Sequence, residues 1–191
     1  MVAADTRISQ GYSILDRNFS KMTQLTDNCI ICSAGMASDV MTFHKHIAMK
    51  VKIFTREHKR QPDIEEIANL ISRTLYSRRF MPYYSFNIVA GLKADGTGIC
   101  YNYDAIGSYD SVVCSSQGSG QYLAAPLIDT MFQEHNHMKS VLSTDRANVD
   151  QCVQEIIHSV AESDIYTGDG IKIAVLDKTG VTFRTEKVRR D

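Results

Sequence analysis

No stretch of this 191-residue chain approaches the roughly 20 consecutive apolar residues of a membrane span. No secretory signal is expected at its start either, because Met1-Val2-Ala3-Ala4 meets Asp5 and Arg7 before an apolar segment can form. An excess of one charge is also lacking. A net charge of −1 argues against a protein held to nucleic acid or to anionic lipid by bulk electrostatics. The basic pairs Arg78-Arg79 and Arg189-Arg190 are far smaller than a nucleic-acid patch. Repeats, low-complexity tracts and linkers are missing, and only Pro62, Pro82 and Pro126 interrupt the chain as prolines. This length suits one domain or at most two small ones, and residues 1–191 are expected to form a single one.

The cysteines do not make a framework. Cys29, Cys32, Cys100, Cys114 and Cys152 are odd in number and lie in apolar segments, which reads as reduced thiols in the cytoplasm or nucleus. Cys29-x-x-Cys32 invites a redox or zinc reading. The segment Cys29 to Ala34 has the character of a buried strand, however, where those two side chains face opposite sides. No second cysteine pair or nearby histidine completes a tetrahedral set. They are read as packed core thiols. His135-Asn136-His137 offers two histidines without a third ligand and is read as a solvated loop. No metal and no cofactor are expected.

What is present is an ordinary globular balance, 43% hydrophobic and 23% charged, in a chain long enough to bury roughly 70% of its unfolded surface. The stretch up to about Ala34 reads as short strands with turns near Gly11 and Asp27-Asn28. Val40, Phe43, His44, Ile47, Val51 and Phe54 then recur at helical spacing and mark one apolar face. A second helix is expected after Pro62, with Asp63 as N-cap and Glu66 completing a capping box. Ile64, Ile67, Ala68, Ile71 and Leu75 form its stripe. Ser85–Leu92 and Gly98–Tyr103 are strand-like, and Ala94 to Thr97 between them signals a hairpin. Further elements are expected as a strand over Ser108–Ser115, a helix from Tyr122 to about His135, a helix after Ser143, and strands over Ile171–Leu176 and Val181–Thr185. Strands separated by helix pairs point to antiparallel sheets covered by helices. The pattern does not distinguish one sheet from two stacked ones.

Little of the local chemistry is decisive. The turn Gln117-Gly118-Ser119-Gly120 before a helix can present backbone N–H groups to an anion, but it reads first as a tight strand-to-helix turn. It is neither a Walker motif nor an esterase elbow. No local signature supports a Ser-His-Asp triad.

Taken together, however, several segments resemble the β subunits of the 20S proteasome. They are Ala4-Asp5-Thr6-Arg7, Lys21 sixteen positions after Asp5 (21 − 5), Ser33-Ala34-Gly35, Gln117-Gly118-Ser119-Gly120 and Asp164-Ile165-Tyr166-Thr167-Gly168-Asp169. The resemblance covers essentially the whole chain. It implies an α/β fold, the four-layer αββα sandwich of the N-terminal nucleophile hydrolases. It also implies partners, the other α and β subunits of a 28-subunit stacked-ring complex, with unfolded polypeptide as substrate of the complex. By the same resemblance Asp5 and Lys21 match the pair that supports the threonine nucleophile of active members. Ser119, Asp164 and Thr167 match the group that orients its amine, with threonine at 167 where active members have serine. Gly35 would supply the N–H beside the oxyanion. The nucleophile and the strand that carries it have no counterpart, since the family places them about sixteen residues before the aspartate and only Met1 to Ala4 precede Asp5. Thr6 is no substitute, because its amine is locked in a peptide bond. The chain is therefore expected to be a non-catalytic subunit that begins inside the family domain, with those residues kept as architecture. The alternatives are a fragment of a catalytic threonine-type endopeptidase subunit and, less supported, a free-standing hydrolase using Ser119 or a cysteine. Leu75 to Tyr84, Tyr103 to Tyr109 and Tyr166 to Asp169 are most similar to the sixth β position, whose members lack activity and help shape a neighbouring subunit's substrate pocket. Asp104 is the residue expected there, or else a simple turn aspartate.

Overall fold

A computed structural model describes residues 1–132 and 146–188. The elements run β1 (Val2–Asp5), β2 (Ile8–Gln10), β3 (Ser13–Asp16), β4 (Met22–Thr26), β5 (Cys29–Gly35), α1 (Ala37–His58) and α2 (Ile64–Tyr76). They continue with β6 (Ser85–Leu92), β7 (Gly98–Tyr103), β8 (Tyr109–Val112), α3 (Gln121–Phe132), α4 (Arg146–Ser163), β9 (Gly170–Asp177) and β10 (Gly180–Lys187). The strands fall into a three-stranded sheet ordered β1-β9-β10, a β2-β3 hairpin and a five-stranded sheet ordered β4-β5-β6-β7-β8. This answers what the pattern left open, since there is more than one sheet.

The chain divides into two compact units. One comprises Lys21–Val112 and Val175–Thr182. Here every neighbouring pair in the five-stranded sheet is antiparallel; short turns join β4 to β5, β6 to β7 and β7 to β8, while α1 and α2 lie between β5 and β6. The expected stripes of both helices do the packing. Phe43, Ile47 and Val51 of α1 and Ile64, Ile67, Ile71 and Leu75 of α2 join Cys29, Ile31, Val89 and Tyr103 of the sheet in one buried cluster. Each such side chain contributes about 1.5–3 kcal/mol by leaving water. The Tyr103 hydroxyl, buried in this cluster, donates to the Ala68 carbonyl at 2.9 Å, and burial pushes its pKa up. The α2 start is the expected capping box: the Asp63 carboxylate accepts from Glu66 N at 2.8 Å, and the Glu66 carboxylate accepts from Asp63 N at 3.0 Å. Cys29 faces this core, and burial raises its thiol pKa. Cys32, of opposite parity on β5, is only half-buried. The strand expected over Ser108–Ser115 is shorter, because its ladder with β7 ends at Cys100↔Val112, and Val113 is left exposed.

The other unit comprises Met1–Ser20, Val113–Ala174 and Phe183–Asp191. β1 pairs antiparallel with β9 from Val2↔Ala174 to Asp5↔Ile171. α3 and α4 pack through Ala124, Ile156 and Val160, with Leu127, Ile128, Met131 and Phe132 beside them. The β2-β3 hairpin turns at Gly11, whose φ of 57° suits glycine. The expected end of α3 near His135, the helix start near Ser143, the His135-Asn136-His137 loop and Arg189-Arg190 lie outside the described residues.

Candidate functional site

The loop that follows α4 collects polar side chains from the N-terminal segment and from the turn before α3. Asp164 is its hub. Ser119 Oγ donates to Asp164 Oδ2 at 2.6 Å and Thr167 Oγ1 donates to the same oxygen at 2.7 Å. The Tyr166 amide donates to Asp164 Oδ1 at 3.2 Å. Two glycines make this approach possible. A Cβ on Gly120 would lie 2.4 Å from Val160 Cγ1 and 3.3 Å from Asp164 Oδ2, so a side chain there would push α3 off the loop. Gly118, at φ 118°, sets the preceding turn in a conformation that L residues avoid. The Ser119 turn is thus a strand-to-helix connection that delivers a hydroxyl to a carboxylate 45 residues away.

The loop is pinned from the N-terminal segment. Asp5 Oδ2 accepts from Gly168 N at 3.3 Å and from Arg7 N at 3.2 Å. Arg7 Nε donates to Asp169 Oδ2 at 2.7 Å, and Arg7 Nη1 donates to the Ile165 carbonyl at 3.0 Å. Arg17 Nη1 donates to Asp169 Oδ1 at 2.5 Å. The Asp169 side chain is 2% exposed and its backbone is left-handed, φ 69°, a strained setting for a non-glycine residue. Burial acts to raise its pKa, but the hydrogen bonds from Arg7 and Arg17 outweigh it and hold the carboxyl below the usual range. Thr6 is buried, its hydroxyl donating to the Arg17 carbonyl at 2.8 Å and its amide to the Gly170 carbonyl at 3.0 Å. Arg17 and the clamp on Asp169 escape sequence reasoning: Arg17 lies 152 residues from its partner, and no local pattern announces such a pair.

The remaining candidates lie in the other unit. The Lys21 carbonyl accepts from Ser33 N at 3.0 Å. Gly35 has φ 126°, and a Cβ there would sit 2.3 Å from the Tyr84 carbonyl oxygen, so β5 can end at this point only as glycine. Asp104 is exposed at the β7-β8 turn, where its Oδ1 accepts from Ile106 N at 3.0 Å and Ser108 N at 2.8 Å. That is the turn role expected as one of its two readings.

A polar cluster that sequence reasoning missed joins α1 to the sheet. His44, assigned above only to an apolar stripe, is 5% exposed. Its Nε2 lies 2.7 Å from Ser33 Oγ, and its Nδ1 lies 2.9 Å from Thr23 Oγ1. Ser33 Oγ also donates to Asn87 Oδ1 at 2.6 Å. The signal was a histidine inside a helical stripe, with Ser33 and Asn87 paired in register on β5 and β6.

What this arrangement does chemically is limited. In the loop, the protons of both hydroxyls are held by one carboxylate. Burial keeps the thiols of Cys29, Cys114 and Cys152 protonated, raising their pKa. Among the described residues no group of three or more His, Cys, Asp or Glu is placed to hold a metal ion. What the loop does offer is a rigid frame in which Asp5, Ser119, Asp164 and Thr167 come together. The proteasome subunit family matches this chain over residues 1–176, and that match has the frame inside it. The chain belongs to the proteasome subunit family. Its relatives include proteins named proteasome subunit beta type-1. The one from Petunia hybrida is 38% identical, with all of this chain and 88% of the relative aligned. That from Dictyostelium discoideum is 39% identical over all of this chain and 82% of its own length. That from Drosophila melanogaster is 34% identical over all of this chain and 83% of its own length. Proteasome subunits have the N-terminal nucleophile hydrolase fold, as expected from the sequence, and this chain brings to it antiparallel sheets and the two helix pairs α1-α2 and α3-α4.

Proposed function

We propose that this chain is a non-catalytic, structural β subunit of a 20S proteasome core particle, at the sixth β position. The observation that carries the reading is the alignment of the whole chain with relatives named beta type-1. As such a subunit it supports ring assembly and, through the particle, ATP- and ubiquitin-dependent degradation of unfolded polypeptide. Its partners are the other α and β subunits, and its place is the cytoplasm and nucleus. Residues 1–191 act as one β-type domain. Inactivity is supported by how the remaining hydroxyls are used. Those of Thr6, Ser119 and Thr167 are each donated within the chain, and the Thr6 amine is a peptide nitrogen. Asp5, Lys21, Gly35, Ser119, Asp164 and Thr167 then serve as architecture. Asp104 contributes to the substrate pocket of the neighbouring active subunit.

The second reading, a fragment of a catalytic threonine-type endopeptidase subunit, is favoured by the Ser119–Asp164–Thr167 group, which is assembled rather than scattered. Purifying the particle through a tag on this chain, sequencing the chain's N-terminus and treating the particle with a covalent threonine-directed inhibitor separates the two. The structural reading expects this chain to run in a particle of many subunits, without an N-terminal threonine and without label. A labelled N-terminal threonine establishes the catalytic reading, and a chain that runs as a monomer overturns both.

A further inference from the structure

The segment that joins α2 to β6 holds large apolar side chains in water on a rigid support. Single exposed apolar residues are ordinary on a protein surface. Here Tyr76 at 62%, Phe80 at 99%, Met81 at 81% and Tyr84 at 61% exposure stand within nine residues. The segment is not a loose loop. Consecutive turns tie Ser77 N to the Arg73 carbonyl, Arg78 N to that of Leu75, Arg79 N to that of Tyr76 and Met81 N to that of Arg78, each at 3.0 Å. Its base is anchored in the core. Tyr83 is 3% exposed, its ring centroid lies 5.2 Å from that of Phe43, and the Arg78 guanidinium sits over the same ring, 4.4 Å from its centroid. At its end the Tyr84 amide donates to Asp39 Oδ2 at 2.8 Å, and the Tyr84 carbonyl accepts from Met36 N at 2.9 Å. A side chain presented from so fixed a base loses little freedom on binding, which is how aromatic anchors at the centre of protein interfaces are built.

The surroundings are cationic. Arg73, Arg78, Arg79 and Lys45 are exposed around this segment and along the adjoining helix. Burial together with the charges of Lys50 and Arg78 lowers the pKa of His46, so the positive field extends over the α1 side. Asp39, the acidic group in contact with the segment, has its carboxylate on the Tyr84 amide.

We propose that Phe80 and Met81 form a rigid knob that inserts into an apolar pocket rimmed by Asp or Glu on a neighbouring, non-identical subunit of the particle. This rests on the function proposed above. A second copy of this chain is disfavoured as occupant, because a symmetric contact would set these arginines against their own counterparts. A lipid surface is disfavoured because membrane-surface binding uses an extended amphipathic helix, whereas the knob is a short turn.

The experiment expresses tagged full-length chain in cells with a photo-crosslinking amino acid in place of Phe80, alongside Phe80→Ala, Phe80→Leu and Arg79→Glu. The particle-bound fraction is measured by native electrophoresis, and crosslinks are located by mass spectrometry. Crosslinks to another subunit at an apolar site beside carboxylates are expected. Phe80→Ala should lower incorporation by about 30-fold, the loss of one interface anchor, with Phe80→Leu retaining most of it. Arg79→Glu should slow incorporation in a salt-dependent way. Thermal melting of the variants should match wild type, since both positions are exposed. Wild-type incorporation with an indifferent Phe80→Ala overturns the knob alone. Crosslinks confined to a second copy, or binding to anionic vesicles that depends on Phe80, also overturn it. Absence of the wild-type chain from any particle overturns the proposed function and the knob with it.

Discussion

At the scale of single residues, His44 is the side chain with the clearest consequence. It is buried between α1 and the strands that carry Thr23 and Ser33, and burial lowers its pKa from 6.5 to about 4. A base with a depressed folded pKa binds more protons when unfolded. Its contribution to stability is therefore fully present above pH 6.5 and is lost as pH falls from 6.5 toward 4. The loss is on the order of a few kcal/mol across that window. Denaturant melts of the wild-type chain between pH 7.5 and pH 5 should show this slope, and His44→Gln, which keeps hydrogen-bonding groups but does not titrate, should flatten it. Equal slopes for the two chains would remove His44 as the source. Its role was invisible in the sequence because a histidine in a helical stripe announces burial, not partners. Those partners come from two different strands.

At the scale of elements, sequence and structure agree where the interaction is local. The α2 capping box spans four residues, Asp63 to Glu66, and formed as expected. Asp63→Ala should cost about 1 kcal/mol, seen as a fall of several degrees in thermal midpoint, and Asp63→Ser should recover most of it. If Asp63→Ala melts with wild type, the cap does not hold α2. The α1 and α2 stripes were legible for the same reason, since residues three and four apart share a face. β6 and β7 were legible through alternation and the Ala94 to Thr97 turn. The length of β8 was not, because a strand ends where its partner's ladder ends, here at Cys100↔Val112, and no residue of its own marks that point.

At the scale of the molecule, the proposed role in a multi-subunit particle makes Asp104 informative. The turn needs only an oxygen acceptor for Ile106 N and Ser108 N, and asparagine supplies one. The pocket role needs the charge. Asp104→Asn should therefore leave the yield of assembled particle unchanged and alter its peptide cleavage a few-fold, most for peptides with basic residues near the cut, as measured on the purified particle. Unchanged kinetics across substrates would leave Asp104 a turn residue alone.

The sequence by itself determined the family, the helices with their apolar faces, and which residues were worth watching. These depend on short-range periodicity, caps and the spacing of a few motifs. Only the tertiary structure decided which of those residues meet. It brought Ser119 to Asp164 across 45 residues and Arg17 to Asp169 across 152, it closed Ser33, His44 and Asn87 into one cluster, and it left Phe80 in water. The reason is physical. Packing brings together groups far apart in the chain, and their pairing follows from the fold of the whole unit rather than from anything written beside them.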